Sequence, residues 1–352
     1  MSAPAAGAGP ALIETVLVSG SAGFIGGYLV AELLRRGYRV IGVDDHSKYG
    51  QVRRSYDEHP RFLQVDGDAA DAALMTGLLA GCDHFIAGAA MVGGIGYFHA
   101  YPYDLLAANE RIIAGSCDAA IAAHRAGRLR KVTYLSSSMV YECARRWPSR
   151  EGDELSIPAP RSCYGFQKLA VEYFARAARD QYGLPFTIVR PFNCVGTGER
   201  RAVRDADAAS GNIKLAMSHV VPDLVQKVLK GQDPLRILGS GEQIRHFTYG
   251  GDLASGVVTA MEHPGALNEA FNLSAARGTT VRELAGLIWR KVNGAGQPRL
   301  AHDEPFEHDV QRRIPCTEKA RRLLGFEATT TVDQMLDEVI PWIAAAIEAG
   351  TI

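Results

Sequence analysis

The chain has 352 residues, 47% apolar and 22% charged, with 38 basic against 39 acidic side chains and a formal charge of −1. An apolar fraction of this size excludes wholesale disorder, and near-neutrality without a long block of like charge excludes broad phosphate neutralisation on a nucleic acid. No run of about 18 uncharged apolar residues occurs, so no membrane span is expected, and six scattered cysteines fit reduced thiols in a cytoplasmic protein better than a disulfide framework or a zinc site.

Residues 1–10, rich in Ala, Gly and Pro, read as a flexible leader rather than a secretion signal. From residue 11, short β-branched runs alternate with longer helical patterns. Thr15 to Ser19 has strand length and composition, and a glycine turn and an amphipathic stretch to Arg36 follow, with Gly37 at the C-cap position. Further strands are expected at Arg39 to Asp44, Arg61 to Asp66, His84 to Ala87, Lys131 to Ser136 and Pro185 to Arg190, with helices over 102–126 and 164–182. Strands continuous in Val, Ile and Leu that alternate with helices imply a parallel sheet covered on both faces. The fold class is therefore α/β, a Rossmann-type doubly wound domain over 12–190. A smaller α/β substrate domain is expected over 191–352, with helices near 219–230, 252–262, 280–292, 317–324 and 331–348, and the chain is free to cross back to the first domain.

Gly20, Gly23 and Gly26 lie between the first strand and its helix, spaced G-x-x-G-x-x-G. A dinucleotide needs a tight turn, close backbone approach to its pyrophosphate and a helix N-terminus aimed at the anion. The usual spacing is G-x-G-x-x-G, so the turn alone is compatible with either a cofactor loop or an ordinary bend. Asp44 ends the next strand about 20 residues on, where an acid accepts from an adenosine ribose. No Arg stands beside it to receive a 2′-phosphate, which favours NAD over NADP. Tyr164 and Lys168 stand at i and i+4 on one helix face, after the Ser136-Ser137-Ser138 run at the carboxyl edge of the sheet. Bringing a phenol from about 10 to near 7 needs about 4 kcal/mol of preference for phenolate. A neighbouring ammonium and a positive nicotinamide ring could supply it. Such a Tyr could take a proton from a sugar hydroxyl as hydride leaves its carbon.

Gly20-x-x-Gly23-x-x-Gly26, Asp44, Ala89-Ala90, the Ser136 to Tyr141 segment, Tyr164-xxx-Lys168 and Arg190-Pro191-Phe192-Asn193 occur in that order. Together they resemble the extended short-chain dehydrogenase/reductase family, in particular its NAD-dependent nucleotide-sugar epimerases and dehydratases, over residues 14–345. The resemblance implies Ser137 as the catalytic hydroxyl, Tyr164 as the base, and Lys168 as the ribose-binding residue that lowers the phenol's pKa. It implies cofactor contacts at Gly20, Gly23, Phe24, Ile25, Gly26, Asp44, Asp66 and Ala89. It also implies substrate contacts at Asn193, at Arg245 in a diphosphate-binding segment, and at Arg312 in a second one. Guanidinium donors suit a buried pyrophosphate on chemical grounds too.

By resemblance, 4,6-dehydratases carry Asp-Glu after the catalytic hydroxyl and decarboxylases a Glu, where this chain has Ser138 and Met139. Met cannot move a proton, so the remaining chemistry is C4 oxidation and return of hydride to the opposite face, a 4-epimerase. The rivals are a dehydratase, or a GDP-sugar 3,5-epimerase or 4-keto-sugar epimerase/reductase. Ser218-His219-Val220-Val221-Pro222 resembles the latter branch, with His219 at its acid position and its Cys partner replaced by Met139. The substrate is expected to be UDP-, dTDP-, CDP- or GDP-linked. No metal is expected: Pro305 interrupts the His302 to His308 run, the one stretch dense in metal-capable side chains. Tyr97, Phe98, His99, Tyr101 and Tyr103 either wall the sugar pocket or pack in the core. Helices 102–126 and 164–182 resemble the pair that builds a dimer bundle in this family, which implies a homodimer.

Overall fold

The structure is a computed structural model that describes residues 13–92, 101–199, 208–210, 213–215, 219–304 and 310–352. The leader, the 93–100 part of the aromatic cluster, the Arg200 to Asp205 charge run and 305–309 lie outside the described residues.

The strands in chain order are β1 Thr15–Ser19, β2 Arg39–Asp44, β3 Phe62–Asp66, β4 His84–Ala87, β5 Lys131–Leu135 and β6 Phe186–Pro191. Shorter ones follow: β7 Cys194–Val195, β8 Ala208–Ser210, β9 Ile213–Leu215, β10 Leu235–Leu238, β11 Ile244–Arg245 and β12 Thr248–Tyr249. The last three are β13 Glu269–Leu273, β14 Thr279–Thr280 and β15 Leu300–Asp303. The described helices are α1 Phe24–Arg35, α2 Ala72–Leu79, α3 Pro102–Arg125, α4 Cys163–Tyr182, α5 Val220–Leu229, α6 Gly250–Glu262, α7 Val281–Asn293, α8 Glu318–Leu324 and α9 Val332–Glu348.

Seven strands form the central sheet in the order β13-β6-β5-β4-β1-β2-β3, with every pairing parallel. Every residue of β1 is buried, and its side chains alternate between two cores as strand geometry requires. Val16 and Val18 pack with Leu29, Leu33, Leu253 and Val257 of α1 and α6. Leu17 packs on the other face with Ile113, Val132 and Val171. The order reverses between β1 and β4, so the carboxyl ends of these strands open the crevice in which doubly wound sheets bind ligands.

Two elements sit where the sequence pattern gives little sign of them. α2 is short and is started by Asp71, whose carboxylate accepts from the Ala73 and Leu74 N–H groups. β13 comes from the second half of the chain yet is the seventh strand of the sheet, in register with β6 from Glu269↔Thr187 to Leu273↔Pro191. With α6 packed on α1, the region 250–273 belongs structurally to the first half. The remainder has its own core, in which Leu224 and Val225 of α5, Leu284 and Ile288 of α7, and Leu336 and Val339 of α9 are buried together. Capping boxes at Thr280 with Glu283 and at Thr331 with Gln334 start α7 and α9. Among the described residues no helix is long and apolar enough to cross a membrane.

Candidate active site

β1 ends at Ser19 and the glycine turn leads into α1. A Cβ on Gly26 would lie 2.0 Å from the Gly20 carbonyl oxygen, so α1 reaches this close to the turn only because residue 26 has no side chain. Gly23 is the N-cap and no side chain caps the helix, which leaves its first turn open to an anion. Asp44 flanks the loop: Oδ2 accepts from the Ala22 N–H at 3.0 Å and Oδ1 from the His46 N–H at 2.9 Å. Burial pushes this carboxyl above its usual range despite those donors. Each oxygen keeps a further lone pair for a ribose hydroxyl. Asp66 stands beside Asp44 in the β2–β3 register, and its exposed carboxylate meets His46 Nε2 at 2.9 Å. Phe24 is buried edge-on to Tyr28, with Ile25 beside it half-buried. Ala89, after β4, donates its N–H to Ser19 Oγ at 3.2 Å. A turn that an added Cβ would block, an uncapped helix start and an acid at the next strand end together fit a dinucleotide. Arg54, which no motif singles out, donates to the Ala22 and Gly23 carbonyls at 3.2 Å each and braces the loop.

Ser137, Tyr164 and Lys168, the residues expected to handle the proton, meet where β5 ends and α4 begins. Ser137 caps a 3-10 turn over Ser138–Tyr141, its Oγ accepting from the Met139 N–H at 3.1 Å. The same hydroxyl hydrogen-bonds the Tyr164 phenol. Tyr164 reaches it because α4 starts hard against that turn: a Cβ on Gly165 would come within 3.0 Å of the Met139 carbonyl and 2.7 Å of Pro160. Ser162 caps the helix, accepting from the Gly165 N–H at 3.0 Å. One turn on, Lys168 Nζ lies 6.0 Å from the Tyr164 ring centroid and donates to the Leu135 carbonyl at 2.9 Å. Burial pushes the Tyr164 phenol above its ordinary value, opposed by the Ser137 hydrogen bond and the charge of Arg313. Burial also pushes the Lys168 ammonium down to about 8.

Beneath this corner lies an ionic cluster. Arg190 is fully buried and grips Glu172 through Nε at 2.8 Å and Nη2 at 2.7 Å, with Glu154 at 2.7 Å. Glu172 also accepts from Ser136 Oγ at 2.6 Å, which holds the residue next to Ser137. Tyr141 touches Arg190 and donates to Asn272 Oδ1 at 3.0 Å. Arg176 Nη2 also reaches both glutamates, Glu154 at 2.9 Å and Glu172 at 3.1 Å, and neither glutamate stands out in the sequence, because Arg190 is distant in the chain.

The second half contributes unevenly. Asn193 adopts a left-handed backbone, φ 37°, which Asn tolerates better than most residues, and its Nδ2 donates to the His246 carbonyl at 3.2 Å. Arg245 lies on β11, half-buried, donating to the Ile244 carbonyl at 3.0 Å. His219 is the exposed N-cap of α5, with Nδ1 on the buried Glu199 carboxylate. Arg312 faces outward, its guanidinium 5.5 Å from the exposed Trp147 ring. Its neighbour Arg313 turns inward, Nη2 2.9 Å from Met139 Sδ and Nη1 3.4 Å from Asn193 Oδ1. The adjacent Arg pair in an extended segment was the signal for it, since successive side chains point to opposite sides.

A sequence model of the NAD dependent epimerase/dehydratase family matches residues 16–274. The chain is 26% identical over 333 residues to a probable GDP-L-fucose synthase 1 of Oryza sativa subsp. japonica, covering 93% of this chain and 91% of that protein. It is 27% identical over 343 residues to a UDP-glucose 4-epimerase of Lacticaseibacillus casei, covering 93% and 96%. The solved UDP-glucose 4-epimerase of Bifidobacterium longum, in complex with NAD+ and UDP, superposes with a TM-score of 0.77 over 94% of this chain and 98% of that one at 24% identity, a likeness of fold.

Proposed function

Because the chain belongs to the NAD-dependent epimerase/dehydratase family, we propose that it inverts C4 of a nucleotide-linked hexose or uronic acid. The observation that carries this reading is the Ser137 hydroxyl on the Tyr164 phenol, with Lys168 one helical turn away. Bound NAD would accept hydride from C4 and return it to the other face of the sugar. Tyr164, as phenolate, takes the C4 hydroxyl proton and gives it back on reduction. Ser137 donates to the same oxygen and fixes its direction, itself oriented by the Met139 N–H. Met139 offers no proton where a dehydratase would need one. Asn193 and Arg245 are the groups we assign to the sugar and the diphosphate.

A second reading rests on one observation: His219 is backed by the buried Glu199 carboxylate, an arrangement that suits an acid in a 3,5-epimerase or a 4-keto-sugar epimerase/reductase. Incubation with UDP-, dTDP-, CDP- and GDP-linked hexoses and uronic acids plus catalytic NAD, read by mass spectrometry and proton NMR, separates the two. Unchanged mass with altered H4 couplings supports C4 inversion. Loss of water or carbon dioxide, or a requirement for stoichiometric reductant, refutes it. We further propose a homodimer through α3 and α4, on which Tyr103, Phe166 and Tyr173 are exposed; a monomer mass by light scattering would overturn that.

A further inference from the structure

Arg54 stands in the loop between β2 and β3, which fixes its backbone: its N–H donates to Asp57 Oδ2 at 2.8 Å, and its carbonyl accepts from the Asp57 N–H at 3.2 Å. The guanidinium lies in a slot between the start of α1 and the segment after β7. A Cβ on Gly27 would lie 2.9 Å from Cζ, and one on Gly198 2.8 Å from Nη1, so the slot exists only because neither residue has a side chain. Nη2 donates to the Ala22 and Gly23 carbonyls at 3.2 Å each, and Nε is buried with no partner. The Gly23 carbonyl also accepts from the Gly27 N–H at 3.0 Å, which places the cation on the flank of the helix's first turn. A half-buried guanidinium normally holds a carboxylate. Here Arg53 has Glu58 at 3.6 Å, Asp57 serves a backbone N–H, and among the described residues no carboxylate pairs with the Arg54 guanidinium.

We propose that Arg54 is a cofactor-binding residue whose guanidinium answers the charge of the dinucleotide's pyrophosphate at the start of α1. Two kinds of donor then converge on one anion: the N–H groups of a helix start that no side chain caps, and a cation held against the same turn. The geometry favours the cofactor's diphosphate over the substrate's, because both carbonyls that Arg54 grips belong to the glycine turn. Arg245, the group assigned to the substrate's diphosphate, lies on β11. Nη1 is the donor left over from the carbonyl contacts, and a guanidinium fork suits a diphosphate better than any other cationic side chain. Gly198 keeps the slot open beside Nη1 with a left-handed backbone, φ 93°, that glycine adopts without strain.

The test is a comparison of fragments. Protein stripped of cofactor is loaded with NADH, whose fluorescence reports displacement by ADP and by adenosine, in the wild type, Arg54→Met and Arg54→Lys. UDP is titrated in parallel by calorimetry; thermal unfolding checks each fold, and Arg54→Gln replaces a Met variant that unfolds. ADP carries the two phosphates that adenosine lacks, so the ratio of their affinities reads the phosphate contact and cancels a loosening of the turn common to both. We expect Arg54→Met to lower the preference for ADP over adenosine about tenfold, the weight of a charge-assisted hydrogen bond. Arg54→Lys should keep most of that preference, and UDP affinity should hold in all three proteins. An unchanged ratio overturns the proposal, and so does an equal loss for ADP and adenosine, which would make Arg54 a brace for the turn and nothing more. A fall in UDP affinity with ADP untouched would move the cation to the substrate's diphosphate and overturn it as well. No turnover is measured, so the result stands apart from whether C4 is the carbon inverted.

Discussion

Replacing Lys168 by Met removes a charge that the fold holds under a helix, with one carbonyl for company. The side chain is 6% exposed and its ammonium donates to Leu135 at 2.9 Å. Its folded pKa is about 8 through burial, whereas a lysine in the unfolded chain titrates at about 10.4. Between these values the unfolded chain binds a proton that the folded protein has lost, so wild-type stability rises with pH across the window. Below it, both states are charged and the folded protein carries the whole penalty. A gap of about 2.4 pH units at 1.36 kcal/mol per unit is roughly 3 kcal/mol. Met fills similar volume without charge and forfeits the Leu135 hydrogen bond, about 1–3 kcal/mol at every pH. The stability of Lys168→Met relative to wild type should therefore fall by roughly 3 kcal/mol between about pH 7 and about pH 10.5. Urea unfolding of both proteins, stripped of cofactor, measures it. A relative stability flat to within about 0.5 kcal/mol over that range would refute the reasoning.

Tyr164→Phe should bind NAD as the wild type does and lose about 10²–10⁴-fold in turnover, the usual weight of a positioned acid–base group; isothermal titration with NAD beside a steady-state assay checks both halves. Gly26→Ala should abolish NAD binding, because its Cβ falls 2.0 Å from the Gly20 carbonyl and the helix start must retreat; fluorescence titration with NADH reads this, and retained affinity would contradict the loop assignment. Arg190→Met should cost about 3–5 kcal/mol in urea unfolding, since two buried carboxylates, Glu172 and Glu154, are left to share the single half-buried guanidinium of Arg176, which already stands 3.1 and 2.9 Å from them. A loss under about 1 kcal/mol would mean that water or Arg176 relieves them.

The strands up to Arg190 are legible because the central ones, β1, β5 and β6, are largely apolar runs buried on both faces, a pattern that hardly anything but a covered parallel sheet explains, while the edge strand β3 is half-exposed. The glycine turn, Asp44 and the Tyr164–Lys168 pair are local spacings set by one turn or one helix, so they too can be read along the chain. What escapes is set by pairings between distant segments. Glu269–Leu273 resembles any short strand; only its register with β6 puts it in the sheet. Arg312 and Arg313 are equivalent in sequence, and which one enters the site is decided by Ile244 on one side and Ser149 on the other. Glu154 and Glu172 look like solvated charges on a loop and a helix until Arg190 is brought between them.

The seventh strand of the sheet has a bearing on how such chains can be recombined. A gene cut near codon 190 would yield a first piece whose β6 has lost its outer neighbour and whose α1 has lost α6, leaving an open apolar strand edge prone to sticking to its own copies. An exchange of second halves with a relative by a single crossover would import a foreign β13 and α6 into the parent's sheet and core. The second half of this scaffold is therefore better shuffled as two cassettes, 191–249 and 274–352, that spare the stretch between them.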